Sequence, residues 1–404
     1  MSVQWHIAQI SKVSNQANHL MNYVLQRRES LTRNLKKHSV DAFLVTTPVN
    51  VTYLTGFTGS AKDDAFYVTT AKTSMLVSDS RFEEQIKEEC AGLDAHIRGH
   101  NKTTFEAAAE VLNKSSAKTV GVEASSITHG DLEKLKELSP KVTFVPVEGS
   151  IETQRAIKDP GEIEKIREAV RIAERAFKMF AATLREADTE KDMVDALEGF
   201  VRRAGGRGTS FPPIVAVGER GALPHAPPTS RQLGEGSKLL VDWGADILYK
   251  SDMTRTFRSP FGTSPTRRNK QERVGLVLEE VYEVVLAAQN AAIAAIKPGV
   301  KAKDVDAAAR KVISTTKLKS NKEEKLGDYF THGLGHGIGL DVHESPRIRS
   351  NSEDVLEAGM VVTIEPGIYI QGWGGVRIED VVLVTNSGGV LLTSLTRELE
   401  SIGG

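Results

Sequence analysis

The residues with the clearest capacity for chemistry are three histidines in a glycine-rich stretch late in the chain. Residues 332–346 read His-Gly-Leu-Gly-His-Gly-Ile-Gly-Leu-Asp-Val-His-Glu-Ser-Pro, with glycine at four alternate positions. Glycine disfavours helix and lets other backbone or a ligand approach closely, so we expect an extended segment. Extended residues an even number apart share a face, which predicts His332 and His336 side by side, with His343 further on before a turn. The regular spacing favours a functional site over a purely structural strand.

Four carboxylates on apolar segments offer partners for these histidines. The run around Asp242 reads as a buried strand, and a short turn separates it from a second strand that carries Asp252. A hairpin would therefore bring the two side chains together. The same arrangement recurs downstream, where a glycine-rich turn separates Glu365 from Glu379. A structural interpretation pairs one aspartate with Arg255 of the same hairpin, and it leaves the remaining acids without a cation.

Charge balance suggests what neutralises the four acids. Burying an unpaired carboxylate costs several kcal/mol even after the protein relaxes. Two divalent cations would balance four carboxylates, and a neutral imidazole would complete the ligand shell. A donor set dominated by oxygen suits Mn²⁺, Fe²⁺, Co²⁺ or Zn²⁺, whereas a single Mg²⁺ or Ca²⁺ would leave excess negative charge and seldom takes histidine. Carboxylates that bridge two ions and a shared hydroxide would form a hydrolytic centre.

Long helices and short strands must position these side chains. Asp-Pro-Gly at 159–161 is a helix-start signal and predicts a helix over 160–184. Further helices are expected over 270–296 and 303–314, beside a mainly antiparallel sheet, so the second half is predicted to be α+β. In the first half short strands alternate with helices and turns, which predicts a small α/β domain. The predicted parts are an N-terminal extension over 1–25, a first domain over 26–155 and a second over 156–404.

Composition excludes several classes of protein. The 404 residues include 52 basic and 53 acidic side chains, so there is no electrostatic case for binding nucleic acid or an anionic membrane. No long apolar stretch is available to cross a bilayer. The single cysteine, Cys90, excludes an intrachain disulfide and fits a reducing compartment. The first residues lack the apolar core of a secretory signal, so we expect a cytoplasmic protein.

Taken together, these residues resemble the creatinase/aminopeptidase P/prolidase family of metallopeptidases. The resemblance extends over about 27–399 and implies a creatinase-like N-terminal α/β domain followed by a catalytic domain of pita-bread fold. Its motifs occur in the family's order, which makes chance agreement very unusual. They are residues 332–344, Ser-Asp-Met-Thr-Arg-Thr at 251–256, Glu-Pro-Gly at 365–367, Val-Arg-Ile-Glu-Asp at 376–380, Tyr-Leu-Thr-Gly-Phe at 53–57 and Asp-Ser-Arg-Phe at 79–82.

The resemblance implies a set of metal ligands that agrees with the charge argument. It implies two divalent ions, with Mn²⁺ favoured and Co²⁺, Zn²⁺ or Fe²⁺ as alternatives. It also implies a homodimer and a small peptide substrate. The implied ligands are Asp242, Asp252, His336, Glu365 and Glu379.

By the same resemblance, other residues face the substrate. His225 and His343 would hydrogen-bond the scissile carbonyl group and the oxyanion that forms from it. His332 would line the pocket for the residue after the scissile bond, and Arg377 would orient the substrate. Glu365 would also move a proton from water to the leaving nitrogen.

One departure from the family pattern lies in the first acid-bearing hairpin. The family usually has eleven residue steps between its two aspartates and a glycine before the tyrosine, whereas Asp242 and Asp252 are ten steps apart. Shortening a strand by one residue reverses the facing of its side chains unless a turn or bulge absorbs the change. We expect absorption at the turn, which leaves a substrate contact from Tyr249 open.

These observations favour a dinuclear metal-dependent exopeptidase that cleaves before proline, as an Xaa-Pro dipeptidase or an Xaa-Pro aminopeptidase. Two alternatives stay open. One is a relative that acts on a small non-peptide C–N or C–S bond, and the other is a catalytically silent scaffold that binds a protein. The intact ligand set argues against the scaffold. Methionyl aminopeptidases share the catalytic fold but lack the first domain.

Overall fold

A computed structural model describes residues 23–59, 61–261 and 276–402. The chain divides into two compact units, Met1–Arg155 and Ala156–Gly404. Most of the expected N-terminal extension, and the first residues of the helix expected over 270–296, lie outside the described residues. No described helix is both long enough and apolar enough to cross a membrane.

The first unit is built on a sheet in which the described strands follow the order β4-β3-β2-β1-β5-β6. The pairs of β2 with β1 and β3 are antiparallel, and the other pairs are parallel. Apolar side chains of β1, β2 and β5 pack with those of α4 in one core, as expected for an α/β domain. The strands are β1 (Ala42–Val45), β2 (Ala65–Thr70), β3 (Ser74–Asp79), β4 (Asp94–Arg98), β5 (Thr119–Glu123) and β6 (Thr143–Val147). The helices are α1 (residues 23–37), α2 (Pro48–Thr55), α3 (Glu83–Glu89), α4 (Thr104–Ser115) and α5 (His129–Leu138), with α6 (Glu152–Ala156) at the unit boundary.

Helices of the second unit begin where the sequence places its capping signals. The Asp159 carboxylate accepts a hydrogen bond from the Glu162 amide, and the Glu162 carboxylate accepts one from the Asp159 amide, so α7 starts at Pro160 as predicted. α7 ends at Ala181 rather than at 184. The helix expected over 270–296 begins only at Leu278 in the described part, because the two preceding described residues are extended or irregular. The helices are α7 (Pro160–Ala181), α8 (Glu190–Arg203), α9 (Leu278–Ala295) and α10 (Ala302–Thr315).

Antiparallel strands form the rest of the second unit, in agreement with the predicted α+β class. The described sheets have the orders β11-β9-β8, β13-β12-β14-β17-β18, β10-β7 and β15-β16. Helices α9 and α10 bury their apolar faces against β14, β15 and β17. The strands are β7 (Gly208–Thr209), β8 (Ile214–Val217), β9 (Lys238–Trp243), β10 (Ala245–Asp246), β11 (Met253–Arg258), β12 (Gly335–Gly337), β13 (Glu344–Ile348), β14 (Val361–Ile364), β15 (Gly367–Ile370), β16 (Gly374–Arg377), β17 (Asp380–Thr385) and β18 (Gly388–Leu391).

The glycine-rich stretch is less regular than its spacing suggests. Strand β12 covers only three residues, so the expectation that one extended segment carries both His332 and His336 is wrong. The expected turn near Glu344 also lies earlier, since Glu344 opens β13. The role expected for the glycines is confirmed, because a Cβ on Gly335 would collide with the Thr363 carbonyl oxygen. Close approach of other backbone explains Gly335 and Gly337, and close approach of the Glu344 carboxylate explains Gly339.

Candidate active site

The hairpin of β9 and β11 places both aspartates on one face. Asp242 lies opposite Thr254 in the antiparallel register, and Asp252 precedes Thr254 by two residues. Side chains at these positions point to the same side of the hairpin. The hairpin keeps one register from the Trp243–Met253 pair to the bridge between Asp246 and Lys250, so no bulge interrupts it and the shortening falls in the turn, where Leu248 has a φ of 95°. The expectation of absorption at the turn is therefore confirmed.

The tip of this hairpin makes hydrogen bonds with two other segments of the second unit. The hydroxyl of Tyr249 donates to the Glu162 carboxylate over 3.0 Å, and both groups are buried. The amide of Lys250 donates to the carbonyl oxygen of Gly339 over 2.9 Å. Tyr249 therefore joins the hairpin to the start of α7, which gives this tyrosine a structural contact.

Backbone hydrogen bonds bring the two glutamates to the same place. Glu365 follows β14, and its amide donates to the carbonyl oxygen of Leu334 in the glycine-rich stretch over 2.8 Å. Glu379 precedes β17, and its amide donates to the carbonyl oxygen of Thr254 over 3.0 Å. The Thr254 hydroxyl then donates to the Glu379 carboxylate over 2.7 Å. These bonds join Glu365 to the glycine-rich stretch and Glu379 to the β9–β11 hairpin.

His336 faces the acids with one ring nitrogen. Its Nε2 lies 3.6 Å from Asp252 Oδ2 and 3.6 Å from Glu365 Oε1. Its Nδ1 lies 3.0 Å from the carbonyl oxygen of Gly337. Because a carbonyl only accepts, Nδ1 carries the hydrogen and Nε2 keeps its lone pair. Burial lowers the pKa of His336 to about 3, so the ring is neutral, as a metal ligand must be.

The acids repel one another in a dry environment. Burial, with added repulsion from Asp242, raises the pKa of Glu379 to about 8. Burial and the neighbouring carboxylates, Glu379 first, also raise the pKa of Asp252 and of Glu365 well above the usual range. A cluster of carboxylates that resists ionisation is stabilised when cations replace its protons.

The donor atoms fit divalent metal ions. Single ligand atoms of Asp252, His336 and Glu379 all lie within 4.8 Å of one another. Among the residues that the structure describes, Asp242 Oδ1 is buried without a hydrogen-bond partner. A buried carboxylate oxygen with no donor is unusual in a folded protein and suits a cation in that place. The chemistry of the set, oxygen with one imidazole nitrogen, matches first-row divalent ions.

Arg377, rather than Arg255, is the cation that contacts this cluster. Its Nη2 donates to Asp242 Oδ2 over 2.7 Å, and its Nε donates to the Thr254 hydroxyl over 2.9 Å. Arg255 instead pairs with Asp380 over 2.7 Å, so its interpretation as the partner of a hairpin aspartate is wrong. Side chains alternate along β11, and Arg255 therefore points away from the face that carries the acids.

Tyr369 is a residue of this site that the sequence analysis missed. Its hydroxyl accepts from Arg377 Nη1 over 2.8 Å and lies 2.9 Å from His332 Nε2. Burial, with Arg377 nearby, lowers the pKa of His332 to about 4, and the Nδ1 of this neutral ring donates to the Gly333 carbonyl. Nε2 must then accept from Tyr369. In the β15–β16 hairpin Arg377 pairs with Gly367, and Tyr369 lies two residues further along the same face, so the register of this hairpin is the signal that leads to Tyr369.

The remaining histidines surround the acids from separate segments. The ring of His343 meets that of His336 edge to face, with centroids 4.4 Å apart. Burial lowers the pKa of His343, and the charges of Arg347 and His225 add to the effect. His225 is exposed in the loop after β8, and its charge also acts on His332. The structure therefore gathers all the predicted site residues of the second unit, while their individual roles stay predictions.

Comparisons with known proteins agree with this geometry. The model of Metallopeptidase family M24 matches residues 164–386, and that of the Creatinase/Prolidase N-terminal domain matches 27–157. The chain belongs to metallopeptidase family M24. It is 36% identical to an Xaa-Pro dipeptidase of Pyrococcus furiosus over 93% of this chain and 99% of that protein.

Solved structures of family members show the same fold. An Xaa-Pro dipeptidase from Bacillus anthracis has a TM-score of 0.83 at 32% identity, covering 94% of this chain and 99% of that one. An X-Pro aminopeptidase from Thermotoga maritima has a TM-score of 0.79 at 31% identity, covering 91% of this chain and 99% of that one. These matches confirm the predicted creatinase-like domain, the pita-bread catalytic domain and the metallopeptidase class.

Proposed function

We propose that this chain hydrolyses the bond before proline in Xaa-Pro dipeptides, with divalent metal ions as cofactors. The observation that carries the proposal is the buried cluster of four carboxylates around the neutral ring of His336, in a member of metallopeptidase family M24. Full-length similarity to proteins named Xaa-Pro dipeptidase supports the choice of substrate.

The cluster would hold two divalent ions, and its oxygen-rich donor set favours Mn²⁺. The ions supply Lewis acidity, which lowers the pKa of water and polarises a carbonyl group. The protein fixes the orientation of the ligands through their outer partners, Arg377 on Asp242, Thr254 on Glu379 and the Gly337 carbonyl on His336. The ligands would be Asp242, Asp252, His336, Glu365 and Glu379.

Glu365 is the residue that we assign to proton transfer. Its side chain is 19% exposed, against 11% for Asp242 and 6% for Asp252, so it reaches the substrate side most readily of the three. A carboxylate at this position takes a proton from water and delivers it to the leaving nitrogen. In an Xaa-Pro substrate that nitrogen is the tertiary amide of proline, which must gain a proton to leave as a secondary amine.

Three histidines and one arginine would bind and orient the peptide. His343 and His225 would hydrogen-bond the scissile carbonyl and the oxyanion, and His332 would line the proline pocket. Arg377 would orient the substrate through the groups that it holds, Asp242 and Tyr369. Homodimerisation remains an expectation from the family resemblance, which size-exclusion chromatography would test, and a cytoplasmic location remains an expectation from the sequence.

The length of the accepted peptide is the point on which the relatives differ. The similarity to an X-Pro aminopeptidase of known structure makes cleavage at the N-terminus of longer peptides the second candidate. The test is hydrolysis of Ala-Pro, Ala-Pro-Ala and Met-Ala-Ala by metal-stripped protein before and after addition of Mn²⁺.

Each pattern of cleavage has one interpretation. Cleavage of Ala-Pro alone supports the dipeptidase, and cleavage of Ala-Pro-Ala before proline supports the aminopeptidase. If protein shown to carry two metal ions cleaves none of the three, the proposal fails. A small non-peptide substrate or a silent scaffold then becomes the better explanation.

A further inference from the structure

The three histidines assigned to the substrate side all lie on segments without regular secondary structure. His225 is in the loop after β8, His332 precedes β12, and His343 precedes β13. Such segments have no strand ladder or helix to fix their backbone, yet a displacement of about 1 Å in a catalytic group can cost on the order of 100-fold in rate. Something else in the protein must hold them.

A buried carboxylate outside the metal cluster closes the loop that carries His225. Glu190, at the start of α8, is fully buried and accepts from the amides of Val217 and Thr229, both over 2.9 Å. These residues flank the loop on either side. Arg220 donates to Glu190 over 2.9 Å and to the carbonyl oxygen of Pro227 over 2.6 Å. The pair therefore fixes both ends of the loop and one point inside it.

A second acid–base pair holds the segment of His332. Asp306 of α10 is fully buried and accepts from the amide of Leu334 over 3.2 Å and from Arg310 Nε over 2.7 Å. Arg310 also donates to the carbonyl oxygen of His332 itself over 2.5 Å and to that of Phe330 over 2.9 Å. Backbone groups on both sides of this histidine are thus held by the same two side chains.

A third pair stands next to His343. Glu344 accepts from the amide of Asp341 over 2.9 Å and from Lys158 Nζ over 3.3 Å. Lys158 has 1% of its side chain exposed and Glu344 has 6%. Glu344 itself follows His343, and its carboxylate binds the amide two residues before this histidine, so it closes the chain around His343.

We propose that Glu190, Asp306 and Glu344 are positioning residues for His225, His332 and His343 respectively. The inference rests on the proposed function, because it assumes that these histidines contact the peptide. Hydrogen bonds from backbone amides to a buried carboxylate are strong and directional, and each of the three acids also pairs with an arginine or a lysine. Each pair thereby converts an irregular segment into a rigid support.

Glu190→Gln tests the first pair with little change in shape. The amide NH₂ of glutamine is a donor that faces donors, so at least one loop contact is lost. We expect kcat/KM for Ala-Pro to fall on the order of 10- to 100-fold, chiefly through kcat, with the metal content and fold unchanged. Thr229→Val keeps the Thr229 amide bond to Glu190 and removes a hydroxyl that donates to Glu190 over 2.7 Å and accepts from the Arg231 amide over 3.2 Å, so it should cost less.

A double-mutant cycle separates positioning from general loss of stability. If Glu190 acts through His225, Glu190→Gln should cost nothing further in a His225→Ala background. Additive losses, or an unchanged kcat/KM in Glu190→Gln, would overturn the proposal. The same cycles apply to Asp306→Asn with His332→Ala and to Glu344→Gln with His343→Ala.

Glu123→Gln provides the matched control in the other compact unit. Glu123 is buried and accepts from the amides of Thr46 and Thr47 over 2.7 and 2.9 Å, but its contacts hold no histidine segment. The Glu123→Gln variant should have a lower free energy of unfolding than the wild type and an unchanged kcat. A fall in kcat as large as that of Glu190→Gln would indicate that any buried acid has the same effect.

An NMR readout works without turnover. In protein with ring-labelled histidine, Glu190→Gln should shift the signal that His225→Ala removes and leave most of the other signals in place. An unmoved signal would refute positioning. If metal-loaded wild-type protein cleaves no Xaa-Pro peptide, the proposed function fails, and the histidine signals still decide whether the pairs position these rings.

Discussion

At the residue scale, the clustered carboxylates of the site lower the free energy of unfolding of the metal-free protein. Burial raises the pKa of Glu379 to about 8 and holds that of Asp252 above its usual range. Arg377 donates its hydrogen bond to Asp242, and the neutral ring of His336 brings no positive charge to the other acids. The cluster therefore destabilises the metal-free protein while it provides the ligands for metal, and active sites are commonly destabilising in this way.

Glu379→Gln should separate the stability of the metal-free protein from its capacity to bind metal. Above about pH 8, where the Glu379 carboxyl of the metal-free wild type ionises, the amide removes a buried negative charge and keeps an oxygen that accepts from Thr254, so the two proteins are compared above that pH. We expect the metal-stripped variant to melt above the metal-stripped wild type, and we expect it to bind less metal and lose activity. Differential scanning calorimetry of both proteins in the presence of a chelator checks the first expectation. A lower melting temperature for the variant would contradict like-charge repulsion in this cluster.

Tyr369→Phe tests the hydroxyl that connects Arg377 with His332. Its loss leaves a buried guanidinium hydrogen and a ring nitrogen without their partner, which costs about 1–3 kcal/mol in the free energy of unfolding. We expect kcat/KM to fall about tenfold while metal content is retained. Urea denaturation and steady-state kinetics measure the two effects.

Tyr282→Phe is the control for this change, because its hydroxyl donates to the carbonyl oxygen of Arg397 outside the acid cluster. This variant should lose stability and keep kcat/KM. If both tyrosine variants behave alike, Tyr369 has no special link to the site.

At the scale of elements, sequence patterns predicted the features that depend on neighbouring residues, such as the start of a helix and the facing of side chains in a hairpin. Helix α7 begins at its Asp-Pro signal, and the acids at 242 and 252 share a face because the register of one hairpin requires it. The partner of Asp242 was missed, because Arg377 is distant in sequence and reaches it only through the tertiary fold. The positioning acids were missed for the same reason. The extent of β12 depended on contacts of the glycines with other backbone.

The tip of the first hairpin carries a measurable strain. Leu248 has a φ of 95°, and a side chain disfavours that region by about 1–2 kcal/mol. Leu248→Gly and Leu248→Ala both remove the leucine side chain, so their difference isolates the backbone. We expect the glycine variant to be the more stable of the two by about 1 kcal/mol in urea denaturation, because only glycine tolerates this φ without cost. Equal stabilities would mean that the tip relaxes.

At the scale of the whole molecule, metal binding and folding should be linked. A metal that binds only the folded chain stabilises it by about 2.7 kcal/mol at one hundred times its Kd. The raised pKa of Glu379 makes the metal-free fold lose stability as pH rises from about 4.5 through 8. The lowered pKa of His336 has the opposite effect between about 3 and 6.5. Of these two groups, Glu379 alone changes the pH dependence of stability between pH 6.5 and 8.

Metal-stripped protein should therefore melt at a lower temperature at pH 8 than at pH 6.5. Because Mn²⁺ replaces the protons of the acids, the rise in melting temperature on adding Mn²⁺ should be larger at pH 8. Scanning fluorimetry at both pH values, with and without the ion, gives the four melting temperatures. A larger rise at pH 6.5 would contradict protonated acids in the metal-free site.

The most direct test of the account is the rate of Ala-Pro hydrolysis measured against the number of Mn²⁺ ions bound per chain, for the wild type and for Glu365→Gln. We predict no hydrolysis by metal-free protein and full activity of the wild type at two ions per chain. The variant should stay folded and at least 100-fold slower with whatever metal it binds. Turnover by metal-free protein, or a variant as fast as the wild type, would contradict a metal-dependent peptidase in which Glu365 transfers the proton.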